Sequence, residues 1–252
     1  MSTTQTPSAS IAILTSETRL VMREPGVIFW VFAFPTLLLV VLGLIPSFRE
    51  PQADLGGQST VALYVPVSIL LGMIMASLQA LPHALSNYRE RGILRRLRVT
   101  PVEPAQLLAA QIAVYAVAST VSAILVLAVG RLGYGVELPG HMVGYLLAFV
   151  LALANTLALG ATLAAIAPNT KAVTAISSCV FFPTMFTAGV WLPVQAMPGV
   201  LRTVVEFTPM GAGAEALNTA AVGNWPDIVD LAVVTGWSIV FITLAIRYFR
   251  WE

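Results

Sequence analysis

Charge is scarce in this 252-residue chain, in which Asp, Glu, Lys and Arg together make up 10% of the residues. An average soluble domain carries about a quarter of its residues as charged types. Hydrophobic residues make up 58% of the chain. A water-soluble core cannot take up that much apolar sequence, so lipid must surround most of it. The composition therefore excludes an ordinary soluble domain.

Cysteine, lysine and histidine are nearly missing as well. The only cysteine, Cys179, excludes an intrachain disulfide and a cysteine-based metal site, and its place in an apolar run predicts a small packing residue. The only lysine, Lys171, lies in Pro168-Asn-Thr-Lys171, which lacks the glycines of a phosphate-binding loop. The two histidines fall at opposite ends of different apolar runs. We therefore expect no cofactor, no metal and no catalytic residue in this chain.

Six apolar runs are each long enough to cross a bilayer about 30 Å thick as a helix. They are residues 27–46, 61–82, 105–130, 142–167, 172–192 and 228–247. No run alternates in the way that a transmembrane strand would, and a helix satisfies its own backbone groups in lipid. The sequence predicts an all-α integral membrane protein with six transmembrane helices, forming a single transmembrane domain over residues 1–252.

The basic residues fix the orientation. Ten of the thirteen lie in the amino terminus, the 83–104 loop, the 168–171 turn or the carboxyl terminus. Those connections have a net charge of +5, and the opposite connections have −4. Short basic loops stay on the cytoplasmic side. Both termini are therefore predicted to be cytoplasmic in a multi-pass protein.

Two apolar segments are predicted not to span. Residues 11–24 place apolar side chains on one helical stripe and end before Pro25, which is typical of a helix at the membrane interface. Residues 196–221 are broken by prolines and glycines into pieces too short to cross. They predict a re-entrant helical pair on the outer side, before the last span. Its marked residues are Glu206, Pro209 and Glu215, whose carboxylates either shape an exit for cations or simply face solvent.

The cytoplasmic loop contains an unusual segment, Asn87-Tyr-Arg-Glu-Arg-Gly-Ile-Leu-Arg-Arg-Leu-Arg-Val-Thr-Pro101. A helix here would carry arginines on one face beside an apolar ridge of Ile93, Leu94 and Leu97. Such a surface suits a groove with an acidic rim on a protein partner. The alternative is a basic loop that only touches anionic lipid. Nucleic acid fits poorly because the segment is short and lies against a membrane.

The segment from Tyr88 to Pro101 resembles the cytoplasmic stretch of type-2 ABC exporter permeases, E-R-E-R-G-T-L-x-R-L-x-x-T-P. Residues 182–198 resemble the fifth span and outer loop of the same family, and Thr208-Pro209-Met210 stands where that family usually has Asn-Pro-Leu. The chain is similar in particular to antibiotic-efflux permeases of the daunorubicin-resistance type. It departs at Tyr88, Ile93 and Thr208.

The resemblance implies the membrane-spanning subunit of an ATP-driven exporter in the bacterial inner membrane. It would pair with a second permease copy or a related permease and bind two copies of an ABC ATPase, which hold the ATP and Mg²⁺. Residues 88–101 would be the coupling helix. Its expected contact set is Glu90, Arg91, Gly92, Leu94, Arg95 and Leu97.

The predicted spans contain no mid-span ionisable group, which disfavours ion-coupled transport. Polar residues that could line a path are Gln79, Ser119, Asn155, Thr156, Ser178, Thr184 and Thr187; each could instead bond a backbone carbonyl or a neighbouring helix. Such a path suits an amphipathic drug, antibiotic or lipid-like cargo. The alternatives are export of lipid, glycolipid or polysaccharide, or a membrane scaffold or sensor that does not transport.

Overall fold

The computed structural model describes residues 9–92 and 104–248, and within these ranges the chain is helical and contains no β-strand. Two of the helices, the second and the third, each include one π-helical segment, Ile28–Ala33 and Met75–Ala80. The helices are α1 (Ala9–Val21), α2 (Pro25–Gly43), α3 (Thr60–Glu90), α4 (Pro104–Tyr134), α5 (Met142–Ile166), α6 (Thr170–Thr187), α7 (Gly199–Glu206), α8 (Pro209–Ala221) and α9 (Ile228–Tyr248).

Five of these helices are long and apolar enough to cross a membrane: α2, α3, α4, α5 and α9. They coincide with five of the six predicted spans, which confirms a multi-pass, all-helical membrane protein. The sixth predicted span, 172–192, corresponds to α6, an 18-residue helix that is not among the five. The count of six spans therefore stays a prediction.

Helix α3 forms the centre of the molecule. In its most apolar stretch 94% of the residues are buried, against 17% for α9. It packs against α2, α4, α5, α6 and α8. A helix enclosed on all sides has no polar face to present, which explains why residues 61–82 are apolar around the whole helical circumference. The helices at the rim instead expose large apolar side chains, as expected of surfaces that contact lipid.

Close approach of the helices depends on small residues and on the π-helical segments. Gly160 of α5 lies against the backbone carbonyl of Ser77, inside the π-helical segment of α3, where any side chain would clash with that backbone. The other π-helical segment, Ile28–Ala33 of α2, precedes Pro35, which has no N–H to donate to the Val31 carbonyl. The hydroxyl of Ser122 on α4 donates to that carbonyl at 2.6 Å. A hydrogen bond from another helix thus replaces the backbone donor that proline lacks, which matters in lipid because lipid supplies no donor.

The bundle has two chemically different ends. We call the end that carries α1, the 93–103 connection and the α5–α6 turn the basic end. The opposite end carries the α2–α3, α4–α5 and α8–α9 connections, and we call it the acidic end. The α4–α5 and α8–α9 connections meet there, because His141 N–H donates to the Ala220 carbonyl at 3.1 Å.

The segment predicted as a re-entrant pair forms two helices, α7 and α8, at the acidic end. Proline begins α8, and the Thr208 hydroxyl caps it by accepting a hydrogen bond from Gly211 N–H at 3.1 Å. Helix α8 is buried against α5, α9 and α3. Its depth relative to a bilayer, and therefore its re-entrant character, stays a prediction.

Candidate functional site

The basic end holds the described part of the predicted coupling segment. Glu90 and Arg91 are exposed where α3 ends, and Gly92 follows with φ +66°, a left-handed conformation that favours glycine and terminates the helix. The other predicted contact residues, Leu94, Arg95 and Leu97, lie outside the described residues. The assignment of all six as ATPase contacts stays a prediction.

Three side chains of α3 join its last turns to the α5–α6 turn. The Arg89 guanidinium donates to the Ala167 carbonyl at 2.8 Å and to the Ala164 carbonyl at 3.0 Å. These carbonyls belong to the end of α5, where backbone acceptors lack helical partners and the helix dipole favours a cation. The contacts hold the carboxyl ends of α3 and α5 together.

The same turn is held at the start of α6. The Glu90 carboxylate accepts a hydrogen bond from Thr170 N–H at 2.7 Å, and His83 Nε2 lies 3.0 Å from the Thr174 hydroxyl. A carboxylate at a helix amino terminus is favoured by the free N–H groups there. These contacts connect the end of α3 to α5 and α6.

A buried polar cluster connects α1 to the basic end. The Glu17 carboxylate, 5% exposed, accepts a hydrogen bond from the Tyr88 hydroxyl at 2.7 Å and another from the Gln111 amide. Burial raises the pKa of Glu17, and the hydrogen bond from Tyr88 opposes that shift. The cluster brings together α1, α3 and α4. Sequence analysis did not identify it, because its members are far apart in the chain and share no motif.

The predicted path residues do not converge on one cavity. Ser119, Asn155, Thr156 and Thr184 are buried between helices. The hydroxyls of Thr156 and Thr184 donate to carbonyls of their own helices, at 3.0 and 2.7 Å, and Asn155 reaches the Pro209 carbonyl at 3.4 Å. Thr156, Thr184 and Asn155 thus make the bonds to backbone carbonyls that were the alternative to a role in a path. Their role in a path stays a prediction.

Gln79, Ser178 and Thr187 are more accessible. Gln79 lines a cavity of about 260 Å³ with Trp30, Met75 and Phe181, where α2, α3 and α6 meet. Thr187 donates to the Pro183 carbonyl at 3.1 Å. Ser178 is exposed on α6.

Helix α6 has an open face on which most residues are small or polar, with Phe182 as the large apolar exception. The exposed positions recur at helical spacing: Lys171, Thr174, Ala175, Ser178, Cys179, Phe182 and Pro183. Cys179, predicted to be a small packing residue, is exposed on α6 at the rim of the bundle, and its packing role stays a prediction. The exposed face of α9, by contrast, carries Ile239, Val240, Ile242 and Ile246. The two faces differ in the surroundings that they suit: lipid for α9, and protein or a polar cavity for α6.

The marked residues of the acidic end form an ion-pair network. Arg202 of α7 contacts Glu206 at 2.7 Å and Glu215 of α8 at 3.0 Å, and Gln195 donates to Glu215 at 2.7 Å. Burial raises the pKa of Glu215, and Arg202 opposes the shift. Pro209 begins α8. Arg202 was not singled out from the sequence, although its i,i+4 spacing to Glu206 is a recognisable signal.

These features define a polytopic, all-helical membrane protein with a rigid junction at its basic end. The sequence profile of the ABC-2 type transporter family matches residues 9–221, which is most of the chain. The chain therefore belongs to the ABC-2 type transporter family.

A curated relative is the daunorubicin resistance ABC transporter permease protein DrrB1 of Streptomyces coeruleorubidus, 29% identical over 93 residues. The match covers 36% of this chain and 33% of the relative, so it spans about a third of each protein. Family membership confirms the resemblance to type-2 ABC permeases that the sequence indicated, and it agrees with a multi-pass membrane protein.

Proposed function

We propose that this chain is the membrane-spanning subunit of an ATP-driven exporter that moves an amphipathic drug, antibiotic or lipid-like substrate out of the cell. A separate ATPase, present in two copies and carrying the ATP and Mg²⁺, docks on residues 88–101. The observation that carries the proposal is the junction at the basic end. The docking segment continues directly from α3, the central helix, whose last residues are bonded to α5 and α6.

This geometry supports mechanical coupling. The arginine segment follows Arg89 and Glu90 directly in the sequence, so a force on that segment acts on the end of α3. From there the hydrogen bonds to Thr170 and Ala167 lead to the α5–α6 turn. Packed helices respond as rigid bodies, so a shift at one end is carried along their length.

The orientation and span count follow from the charge distribution. The basic end is cytoplasmic and contains both termini, in a bacterial inner membrane, because basic connections are retained inside. With the basic end inside, α6 runs from the cytoplasmic turn at Asn169 to the outer side and is the sixth span. Helix α1 lies at the cytoplasmic interface, and α7 and α8 form a re-entrant pair on the outer side.

The open face of α6 supports a dimer. A spanning helix with Lys171, Thr174 and Ser178 on its free side is poorly suited to lipid. A second permease, either another copy or a related chain, covers this face and encloses the path between the two subunits. The cavity at Gln79 opens beside Trp30 and Phe181, so a cargo there meets aromatic rings and one amide. That lining suits an amphipathic molecule better than a hydrated ion.

The proposal is tested by affinity purification of the chain from its native membranes in mild detergent, with companions identified by mass spectrometry. We expect one soluble ATPase subunit per permease. A folded chain that brings down no ATPase would overturn ATP-driven export and favour the scaffold. For cargo, the same complex in proteoliposomes should export hydrophobic amphiphiles. Transport of a strongly hydrated polysaccharide with no transport of amphiphiles would overturn the substrate class.

A further inference from the structure

The acidic end contains a cavity of about 430 Å³ between α7, α8 and the start of α9. Four carboxylates line it: Glu206, Glu215, Asp227 and Asp230. The only basic side chain in its lining is that of Arg202. With all five groups ionised, the lining carries a net charge of −3. The cavity is therefore a concentrated negative site at the acidic end.

Three of the four acids already have a cation or a hydrogen-bond donor as a partner. Arg202 pairs with Glu206 and Glu215, and Gln195 donates to Glu215. Asp227 accepts a hydrogen bond from Val229 N–H at 2.9 Å. The fourth acid has no such arrangement.

Asp230 is the residue that points to a ligand. It is only 7% exposed, it lines the cavity, and its carboxylate makes no hydrogen bond or ion pair with any residue that the structure describes. Its carboxylate oxygens are not fully covered by protein and remain open to the cavity. A carboxylate that is partly withdrawn from water and has no donor is costly. A ligand that brings N–H donors and a positive charge would remove that cost.

Aromatic side chains form the apolar part of the same lining. Trp225 and Phe207 border the cavity. The Trp225 indole is held edge-on to the His141 ring, with ring centroids 5.1 Å apart, and the Phe207 carbonyl accepts a hydrogen bond from Trp237 Nε1 at 3.1 Å. The faces of aromatic rings attract cations. Acids and aromatic rings together are typical of ammonium recognition.

A metal ion fits less well. Among the described residues no group of three or more His, Cys, Asp or Glu side chains is placed to hold one. We propose that this cavity binds an organic ammonium ion, with Asp230 accepting its N–H donors and Trp225 and Phe207 contacting its apolar body. The assignment depends on the geometry of the acidic end alone and does not require the exporter proposal to be correct.

The test is calorimetric titration of the purified chain in lipid nanodiscs with 2-phenylethylammonium chloride, corrected by titration of empty nanodiscs. We expect saturable binding and no comparable binding of 2-phenylethanol, a neutral molecule of nearly the same shape. Asp230→Asn should weaken binding about tenfold or more, the effect expected when a charge-assisted hydrogen bond is lost. Glu50→Gln is the matched control, because Glu50 is an exposed acid at the same end and outside this cavity.

Equal affinities for the wild type and Asp230→Asn would overturn the proposal, as would equal binding of 2-phenylethanol. Displacement of the probe by calcium chloride but not by potassium chloride of equal ionic strength would also overturn it, in favour of a metal site. If Asp230→Asn does not fold, Trp225→Leu replaces it, since Trp225 is largely exposed. That variant should bind the probe severalfold more weakly, and unchanged affinity would contradict the cavity's role.

Discussion

At the scale of single residues, the polar side chains in the bundle act mainly by satisfying backbone groups that lipid cannot. Ser122 is the clearest case, since its hydroxyl reaches across from α4 to the carbonyl that Pro35 leaves without its usual donor. Thr120, two residues earlier, donates to the Ala116 carbonyl of its own helix at 2.8 Å. The Ser122 hydroxyl therefore bonds a carbonyl of another helix, whereas the Thr120 hydroxyl bonds only within its own helix.

We predict that Ser122→Ala lowers the free energy of unfolding by about 1–3 kcal/mol, because a buried carbonyl loses its donor. Thr120→Val keeps the side-chain volume and should change stability little, since the Ala116 carbonyl remains within the helical hydrogen-bond ladder. Thermal unfolding of both variants in detergent measures the difference. Equal losses in the two would show that the contact across α4 and α2 has no special role.

Glu17 gives a pH dependence with a definite sign. Burial raises its pKa above the ordinary 4.5, so the ionised carboxylate is less favourable in the folded protein than in the unfolded one. The stability that it contributes is fully present below 4.5 and is lost as pH rises through the raised pKa. We therefore predict that the wild type loses stability relative to Glu17→Gln as pH is raised from 5 to 8, measured by melting temperature. A melting-temperature difference between the wild type and Glu17→Gln that stays constant across this pH range would contradict the raised pKa of Glu17.

At the scale of helices, α3 is the element on which the molecule depends. Its centre is enclosed by five other helices, and its last turn is bonded to the α5–α6 turn. The exposed Arg91, two residues after Arg89, makes no side-chain hydrogen bond or ion pair among the described residues. Arg89 therefore joins α3 to the end of α5, whereas Arg91 is exposed and open to a partner.

Arg89→Gln should lower the free energy of unfolding by about 2 kcal/mol, because two carbonyls at the end of α5 lose a charged donor. Arg91→Gln, the same substitution two residues later, should leave stability unchanged and weaken association with the ATPase. Melting temperature and the yield of co-purified ATPase separate the two effects. If Arg91→Gln lowered stability and Arg89→Gln only weakened association with the ATPase, the roles assigned to these two residues would be wrong.

The helices themselves were predictable because hydropathy and length reflect the bilayer directly. The predicted windows agree with the helix bounds to within a few residues for α4, α5 and α9. Helix α3 continues to Glu90, beyond its predicted end at residue 82, because contacts with α1, α5 and α6 accommodate polar side chains that hydropathy assigns to a loop. The partners of Arg89 lie more than 70 positions away and leave no local signal. The same holds for Glu17, whose partners Tyr88 and Gln111 are 71 and 94 positions away.

At the scale of the whole molecule, the exposed faces indicate where lipid ends and a partner begins. Large apolar side chains cover α9 and the outer side of α2, whereas α6 presents threonine, serine and the only cysteine of the chain. We predict that a short bismaleimide links two chains through Cys179 in native membranes, giving a band of doubled mass on a denaturing gel. Cys179→Ser is the control and should give no such band. Only monomer in the wild type, with Cys179 shown to be reactive, would contradict an α6-centred homodimer.

The central claim is that an ATPase docks on the segment that follows α3. The most direct measurement is the ATP hydrolysis retained by the affinity-purified chain, which has no phosphate-binding loop of its own. Leu94→Asp with Leu97→Asp should abolish the retained hydrolysis. Leu44→Asp with Leu138→Asp, which alters two exposed leucines at the acidic end, should leave it at the wild-type level. Full hydrolysis retained by the first double variant would contradict the account.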